Sequence, residues 1–292
     1  MTELVRIGRP LVGVSLVASA VLLFAVSDVL TKQLATAYGV ILVVLMRYLA
    51  SAAIVALAYA PSRGADLWRT QRTLLVVLRG LCLAAASLTM GLALTLMPVG
   101  ETVAIIYLSP LVVMILAWVL LGEAVSAAGW IGALVGFAGV LLIARPGSGL
   151  DPFGVVLCLI NAGLASAYHL LTRVLTRTET NAALLFHTAL AGSLVFGVLL
   201  AFQGAAVLPT WVDLGLMGLL GALAPGGHFL FTAAYREAPA ALLAPVNYLH
   251  LVWAGLLGWL VFDHMPDSMT LTGMGLVAGA GVAVALRAQF KT

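Results

Sequence analysis

The 292-residue chain is 63% hydrophobic and only 9% charged, with a mean hydropathy of +1.15. So few polar residues cannot cover that much apolar surface in water, which excludes a soluble globular domain. The formal net charge of +3 implies no nucleic-acid partner. Crossing a hydrocarbon core takes roughly 20 apolar residues, so the chain has room for about ten membrane-spanning helices.

Ten apolar runs follow one another along the chain, separated by short clusters of Gly, Pro, Asn or charged residues. Each run is continuously apolar rather than alternating, and lipid requires every backbone polar group to be paired internally, so helices rather than β-strands are expected. The predicted helices cover approximately residues 10–31, 39–60, 73–96, 99–121, 127–145, 152–172, 181–203, 211–235, 239–262 and 269–287.

The distribution of Lys and Arg predicts the orientation in the membrane, because loops rich in these residues remain in the cytoplasm. With the N-terminus inside, ten of the 14 basic residues lie on the cytoplasmic side, and only Lys32 and Arg145 lie outside. The sequence therefore predicts a multi-pass protein of the bacterial inner membrane with both termini in the cytoplasm. The ten are Arg6, Arg9, Arg63, Arg69, Arg72, Arg173, Arg177, Arg236, Arg287 and Lys291.

Identical residues recur along the chain at one constant separation of 141, as for Gly13 and Gly154 (154 − 13 = 141). The other pairs are Leu30 and Leu171, Thr31 and Thr172, Gly80 and Gly221, Pro98 and Pro239, Tyr107 and Tyr248, Trp118 and Trp259, and Gly132 and Gly273. The offset divides the chain into repeats at residues 1–147 and 151–292. Each repeat holds five helices, an odd number, so the second repeat is expected to be inverted in the membrane. Inverted repeats are typical of secondary transporters, which expose a shared central site to each side in turn.

Two motifs in the first repeat resemble a known family. The segment from Tyr107-Leu-Ser-Pro110 to Gly122-Glu123, followed by the Gly-rich segment 132–139, resembles the signature of EamA-type members of the drug/metabolite transporter superfamily. The chain looks most like the YddG-type bacterial amino-acid exporters, although Asp263-His264 replaces Gly-Glu in the second repeat. The resemblance implies an all-α membrane protein of ten transmembrane helices, with a central cavity lined by the first four helices of each repeat.

Charged residues within spanning segments are costly and usually face the protein interior or a wet cavity. Arg79 could attract a substrate carboxylate, or its side chain could extend to the inner headgroups. Arg47 is predicted to have a structural role and to pair with Asp28 near the outer end of the first helix. Glu123 resembles the family's Glu at that site and is expected to act as a structural cap.

Polar and aromatic residues cluster on the predicted sixth, eighth and ninth helices, where a small amphipathic metabolite would find hydrogen-bonding groups and ring faces. Single members of such stripes could equally be packing residues, as could the repeat-related Tyr107 and Tyr248. Pro225, Gly227 and Pro245 are candidate sites for helix kinks or gating. The candidate substrate-binding residues are Arg79, Tyr107, Asn161, Tyr168, His228, Phe231, Asn247, Tyr248, His250 and Trp253.

The sequence contains no metal-spaced His/Cys/Asp cluster and no Gly-rich phosphate loop, so we expect no cofactor and no pumping driven by ATP hydrolysis. Its first helix also lacks a mid-membrane carboxylate, which disfavours proton antiport. Gly132 with Gly136 and Gly275 with Gly279 are expected to join helices 5 and 10, or two molecules, so we expect a monomer or weak homodimer.

These features predict an exporter of aromatic or neutral amino acids, or of related small metabolites, that works by alternating access. Export of hydrophobic drugs or nucleosides is an alternative within the same class. An intramembrane enzyme is a more distant alternative, because Ser109, Ser166, His169 and His250 lie in no recognisable catalytic motif. The expected partners are the small-molecule substrate and the lipid bilayer.

Overall fold

The computed structural model describes residues 10–109, 112, 119, 127–145, 149–175, 177–203, 207–237 and 245–289. The regular structure within these ranges is entirely helical. Two 3₁₀ helices lie at Gly64–Leu67 and Pro245–Tyr248. The α-helices are α1 Pro10–Tyr38, α2 Val40–Arg63, α3 Thr73–Leu96, α4 Val99–Ile106, α5 Ala127–Ile143, α6 Pro152–Leu175, α7 Asn181–Gln203, α8 Trp211–Glu237, α9 Leu249–Phe262 and α10 Ser268–Gln289.

Each of the ten predicted runs overlaps one of these helices, and six of the helices are long and apolar enough to cross a membrane. These six are α1, α2, α3, α6, α7 and α8, while α5, α9 and α10 contain shorter apolar stretches. Large apolar side chains such as Leu74, Phe202 and Trp211 are at least 80% exposed. An apolar surface of this extent is suited to lipid rather than to water.

Two predicted boundaries are wrong. The first helix continues through Lys32 to Tyr38, because the chain stays helical until Gly39 adopts a φ of +81°, a conformation that favours glycine at a helix C-terminus. The predicted continuous helix 99–121 is interrupted by a turn at Tyr107 and Leu108. Tyr248, which lies 141 residues after Tyr107, ends the 3₁₀ helix that precedes α9.

Contacts between the two halves of the chain follow a symmetric pattern. Extensive contacts join α1 to α8 and α3 to α6. If each helix is replaced by the helix five places before or after it in the chain, one of these pairs becomes the other. The same exchange relates α2–α8 to α3–α7, and α1–α9 to α4–α6. It leaves α2–α7, α4–α9 and α5–α10 unchanged.

Two glycines related by the 141-residue offset allow close approach between the halves. A Cβ at Gly80 would lie 2.7 Å from Ala191 Cβ, and a Cβ at Gly221 would lie 2.3 Å from Ala50 Cβ. Ala50 and Ala191 are themselves separated by 141 residues (191 − 50 = 141). The same small-residue contact is therefore made twice, between α3 and α7 and between α8 and α2.

The predicted contact between the fifth helices involves different glycines. α5 and α10 pack closely, and a Cβ at Gly139 would lie 2.7 Å from the Gly273 carbonyl oxygen. Gly275 and Gly279 instead have open space around their Cα atoms. They line a surface groove of about 330 Å³ together with Gly132.

Candidate functional site

An aromatic and polar cluster lies where α1, α8 and α9 meet, and the ring of Phe24 is at its centre. This ring lies 5.2 Å from His228, 6.2 Å from Phe231 and 6.3 Å from His250, measured between ring centroids. Phe24 is eight residues along α1 from Lys32, which corresponds to about 12 Å of helix. The cluster is therefore well inside the bundle. We call it the core cluster, and it comprises Phe24, Asp28, Tyr107, His228, Phe231, Asn247, Tyr248, His250 and Trp253.

Tyr107 joins the turn after α4 to the start of α9. Its hydroxyl donates a hydrogen bond of 3.1 Å to the Asn247 carbonyl oxygen and lies 3.2 Å from His250 Nδ1. Its ring centroid is 5.4 Å from that of Tyr248 and 5.6 Å from that of His250. The two repeat-related tyrosines thus pack directly against each other.

Asp28 lies beside His250 and not beside Arg47, so the predicted Arg47–Asp28 pair is wrong. Asp28 Oδ2 is 3.1 Å from His250 Nε2, but the approach is not aligned as a hydrogen bond. Arg47 instead donates a 2.7 Å hydrogen bond to Ser87, and its guanidinium lies 5.1 Å from the centroid of the Tyr48 ring. The reason is geometric: Arg47 faces α3, whereas Asp28 faces α9.

In the described part of the chain, most of the buried side-chain polar atoms that make no hydrogen bond belong to the core cluster. Five buried side-chain nitrogen or oxygen atoms there have no hydrogen-bond partner, and four belong to the cluster. A buried polar atom without a partner is costly, which makes such atoms candidates for contact with a ligand. The four are Asp28 Oδ2, Asn247 Oδ1, His250 Nε2 and Trp253 Nε1.

The Gly-rich segment of α8 provides room for the Phe24 ring. A Cβ at Gly227 would lie 2.5 Å from Phe24 Cε1, so only glycine fits here without displacing the ring. Pro225 lies inside α8 without ending it. Pro245 begins the 3₁₀ helix that leads into α9 and presents Asn247 and Tyr248 to the cluster. Glu123 lies outside the described residues.

Arg79 forms a second polar centre between α3, α6 and α7. Its guanidinium donates hydrogen bonds to the Thr172 hydroxyl at 2.7 Å, the Thr188 hydroxyl at 2.6 Å, the Leu184 carbonyl at 3.2 Å and the Tyr168 hydroxyl at 2.7 Å. It also lies 4.4 Å from the centroid of the Tyr168 ring. Arg79 is only 3% exposed, so its side chain is enclosed by protein and does not reach toward headgroups.

Nine of the ten predicted binding residues therefore fall into two groups. Tyr107, His228, Phe231, Asn247, Tyr248, His250 and Trp253 belong to the core cluster. Arg79 and Tyr168 form the second centre. Asn161 connects α6 to α3 through hydrogen bonds to the Ala86 carbonyl and the Thr89 hydroxyl.

A polar pocket that the sequence did not reveal lies at the end of the bundle where α3 finishes and α4 begins. We call this end the Lys32 end. Lys32 Nζ donates hydrogen bonds of 2.6 Å to the carbonyls of Leu94 and Met97, which complete the C-terminus of α3. The pocket has a volume of about 370 Å³ and is lined by residues of both halves, among them Lys32, Glu101, Phe262 and His264.

The arrangement suits binding of a small amphipathic molecule more than metal chemistry. In the described part of the chain, no three His, Cys, Asp or Glu residues lie close enough together to hold a metal ion. The core cluster instead combines several ring faces with a carboxylate, an amide, two imidazoles and an indole N–H. Such a mixture is common in sites for small organic molecules.

Comparisons with known proteins agree with a transport role. The sequence profile of the EamA-like transporter family matches the chain twice, at residues 11–145 and 152–286. An S-adenosylmethionine uptake transporter of Rickettsia prowazekii (strain Madrid E) is 27% identical over 257 residues, covering 88% of this chain and 86% of that protein. A riboflavin transporter of Brucella anthropi is 32% identical over 222 residues, covering 73% of this chain and 77% of that protein.

A solved crystal structure shares the fold, with a TM-score of 0.68 at 20% sequence identity. The match covers 95% of this chain and 98% of the other. The two profile matches, which account for most of the sequence, and the six long apolar helices indicate a multi-pass membrane protein. The chain belongs to the EamA-like transporter family.

Proposed function

We propose that this secondary transporter exports amino acids, aromatic or neutral, or closely related small metabolites across the bacterial inner membrane by alternating access. The observation that carries the proposal is the core cluster. Four buried polar atoms that make no hydrogen bond lie in this cluster, together with the rings of Phe24 and Tyr107. A molecule with a polar headgroup and an apolar or planar body would satisfy both kinds of surface.

Departures from regular α-helix at two positions related by the 141-residue offset support a substrate site here. The turn at Tyr107 and Leu108 and the 3₁₀ helix Pro245–Tyr248 both lie at the core cluster. Discontinuous helices near the middle of the bundle are typical of substrate sites in secondary transporters, because their free backbone groups can contact the cargo.

Two inverted five-helix repeats are part of the proposal. The two segments that match the family profile are offset by 141 residues (152 − 11 = 141), which equals the separation of the recurring residues. The symmetric pairing of helices between the halves also supports two equivalent units. Five helices in each unit and the distribution of basic residues favour opposite topology, ten spans, both termini inside and the Lys32 end outside.

Arg79 favours a substrate that carries a carboxylate. All four of its hydrogen-bond acceptors are neutral, so its positive charge is not balanced by the groups it contacts. A substrate carboxylate would balance that charge by accepting a hydrogen bond from the one guanidinium N–H that these four bonds leave free. The relatives that carry S-adenosylmethionine and riboflavin add those two compounds to the candidate substrates.

Flux into proteoliposomes tests the proposal directly. We expect purified protein to exchange at least one radiolabelled compound from a panel of amino acids, S-adenosylmethionine, riboflavin and nucleosides faster than empty vesicles do. The variant Phe231→Ala should reduce this flux, whereas Phe229→Ala should not. Phe229 lies two residues away on α8 but is 70% exposed, which makes it a matched control. Flux equal to that of empty vesicles across the panel would refute the proposal.

Competition by L-phenylalanine and phenethylamine tests the carboxylate contact, because the two compounds differ only in that group. In Arg79→Ala, inhibition by phenylalanine should weaken by about tenfold or more relative to phenethylamine, since a hydrogen bond to a charged group contributes about 1.5–3 kcal/mol. Equal weakening for both compounds would mean that Arg79 is structural and would favour drugs or nucleosides as cargo.

A further inference from the structure

Glu101 is a buried carboxylate that the core cluster does not use. It lies in the first turn of α4, and its side chain is only 3% exposed. Its Oε1 atom is 3.0 Å from His264 Nε2, whereas its Oε2 atom is buried and has no hydrogen-bond partner. An ionised carboxylate with one unsatisfied oxygen is costly at such a position.

The pocket at the Lys32 end determines what can reach this carboxylate. The His264 side chain is 46% exposed and lines the pocket, so its imidazole has access to solvent. Glu101 Oε2, by contrast, has almost no accessible surface. A ligand ammonium or metal ion therefore cannot contact that oxygen, but a proton can arrive through the imidazole.

We propose that Glu101 and His264 form a proton-binding site that couples transport to the proton gradient. The proposal rests on the transport function proposed above. In the loading step, Nδ1 of the neutral, Nε2-protonated His264 imidazole takes a proton from hydronium in the pocket, the Nε2–H bond breaks, and that proton forms an O–H bond with Glu101 Oε1. Water and a neutral imidazole protonated at Nδ1 remain. Unloading reverses these transfers after the transporter has changed the side to which the pair is open, so no other reactant is needed.

Other charged groups at this end define the electrostatic surroundings of the pair. Lys32 of α1 lines the same pocket and is fixed by its bonds to the end of α3. Asp263 lies next to His264 in sequence and is exposed. Arg145, at the end of α5, forms an ion pair with Asp267, which lies just before α10 and three residues after His264.

The site is mechanically connected to the core cluster through α4 and α9. Glu101 and Tyr107 lie six residues apart, about 9 Å along α4. Tyr107 contacts His250 at the start of α9, and Glu101 contacts His264 just past its end. Two contacts thus join α4 to α9. The same two helices also approach closely where Gly100 packs against Gly255, because a Cβ at Gly100 would lie 3.1 Å from Gly255 Cα.

Protonation changes the strength of one of these contacts. A hydrogen bond from an imidazole N–H to an ionised carboxylate is charge-assisted and roughly twice as strong as a neutral hydrogen bond. When Glu101 becomes neutral, the contact weakens and the outer ends of α4 and α9 can separate. That separation opens the core cluster toward the pocket.

Infrared spectroscopy of the full chain in lipid nanodiscs tests proton binding without any substrate. When the pH is lowered, the wild-type protein should gain a C=O band from a newly protonated carboxyl group. The band should be missing in Glu101→Gln. It should persist in the control variant Asp263→Asn, which removes the neighbouring acid. Asp263 has a left-handed backbone conformation, with φ of 54°, and Asn tolerates this conformation. An unchanged band in Glu101→Gln would overturn the proposal.

Transport measurements in proteoliposomes test the coupling. An imposed pH gradient should change substrate accumulation by about tenfold per pH unit for one coupled proton. This dependence should be lost in Glu101→Gln, which should still exchange substrate between the two sides. Persistence of the dependence in Glu101→Gln would refute the coupling while leaving the transport function intact. No exchange in any variant would instead refute the transport function.

Discussion

The substitution Gly221→Ala should destabilise the contact between α2 and α8. A Cβ at Gly221 would lie 2.3 Å from Ala50 Cβ and 3.0 Å from the Arg47 carbonyl oxygen. Carbon atoms pack best at about 3.5 Å or more, so the helices would have to separate by about 1.2 Å. Overpacking of this kind costs about 1–3 kcal/mol. Because Ala is favoured over Gly in a helix by about 1 kcal/mol, the net loss should be about 0–2 kcal/mol.

Thermal unfolding in detergent, followed by circular dichroism, provides the measurement. Gly218→Ala on the same helix is the control, because a Cβ there meets no atom within 4 Å. It should gain up to about 1 kcal/mol from helix propensity alone. Adding Ala50→Gly to Gly221→Ala should restore most of the lost packing. Equal melting temperatures for Gly221→Ala and Gly218→Ala would refute this account of the α2–α8 contact.

Three further results are expected. Glu179→Ala should cost about 1–2 kcal/mol in unfolding experiments, because the buried carboxylate accepts hydrogen bonds from two backbone N–H groups just before α3. Asp267→Ala should lower the melting temperature at neutral pH. Hydrogen bonds from Thr270 and the nearby guanidinium hold the pKa of Asp267 below its ordinary value, so this stabilisation should disappear as the pH falls through that lowered pKa. Cys158 is fully buried and should resist a membrane-permeant maleimide until the protein is denatured, whereas the partly buried Cys82 should react slowly, but before Cys158, in the folded protein, because maleimide requires the thiolate and the apolar surroundings disfavour it.

Hydropathy located the helices because lipid imposes a strong and local requirement on each segment. It failed at Lys32, which resembled a loop residue because charge usually ends a spanning segment. The ammonium group is instead accommodated inside the bundle by the carbonyl oxygens of Leu94 and Met97. It also missed the turn at Tyr107, although a proline at position 110 has no backbone N–H to donate and would clash with the carbonyl of residue 106 in a continuous helix.

Side-chain pairing was harder to predict than helix position. Asp28 and His250 are 222 residues apart (250 − 28 = 222), and no local pattern indicates that they meet. Arg47 and Asp28 lie on consecutive helices, so the sequence favoured the nearer pair. Nothing in the local sequence distinguishes Glu101 from any acid at a helix start, because its burial arises from the packing of α4 against α9. The 141-residue offset, by contrast, relates Tyr107 to Tyr248, and these two residues contact each other.

The enclosed guanidinium of Arg79 has a consequence for leakage. Arg79 and Leu94 lie on the same helix, 15 residues or about 22 Å apart, so the guanidinium and the Lys32 end occupy opposite ends of α3. A fixed positive charge on a permeation path repels cations and protons, as in water channels that exclude them. Protons admitted at one end would therefore meet an electrostatic barrier at the other, and the gradient would not be short-circuited through the bundle.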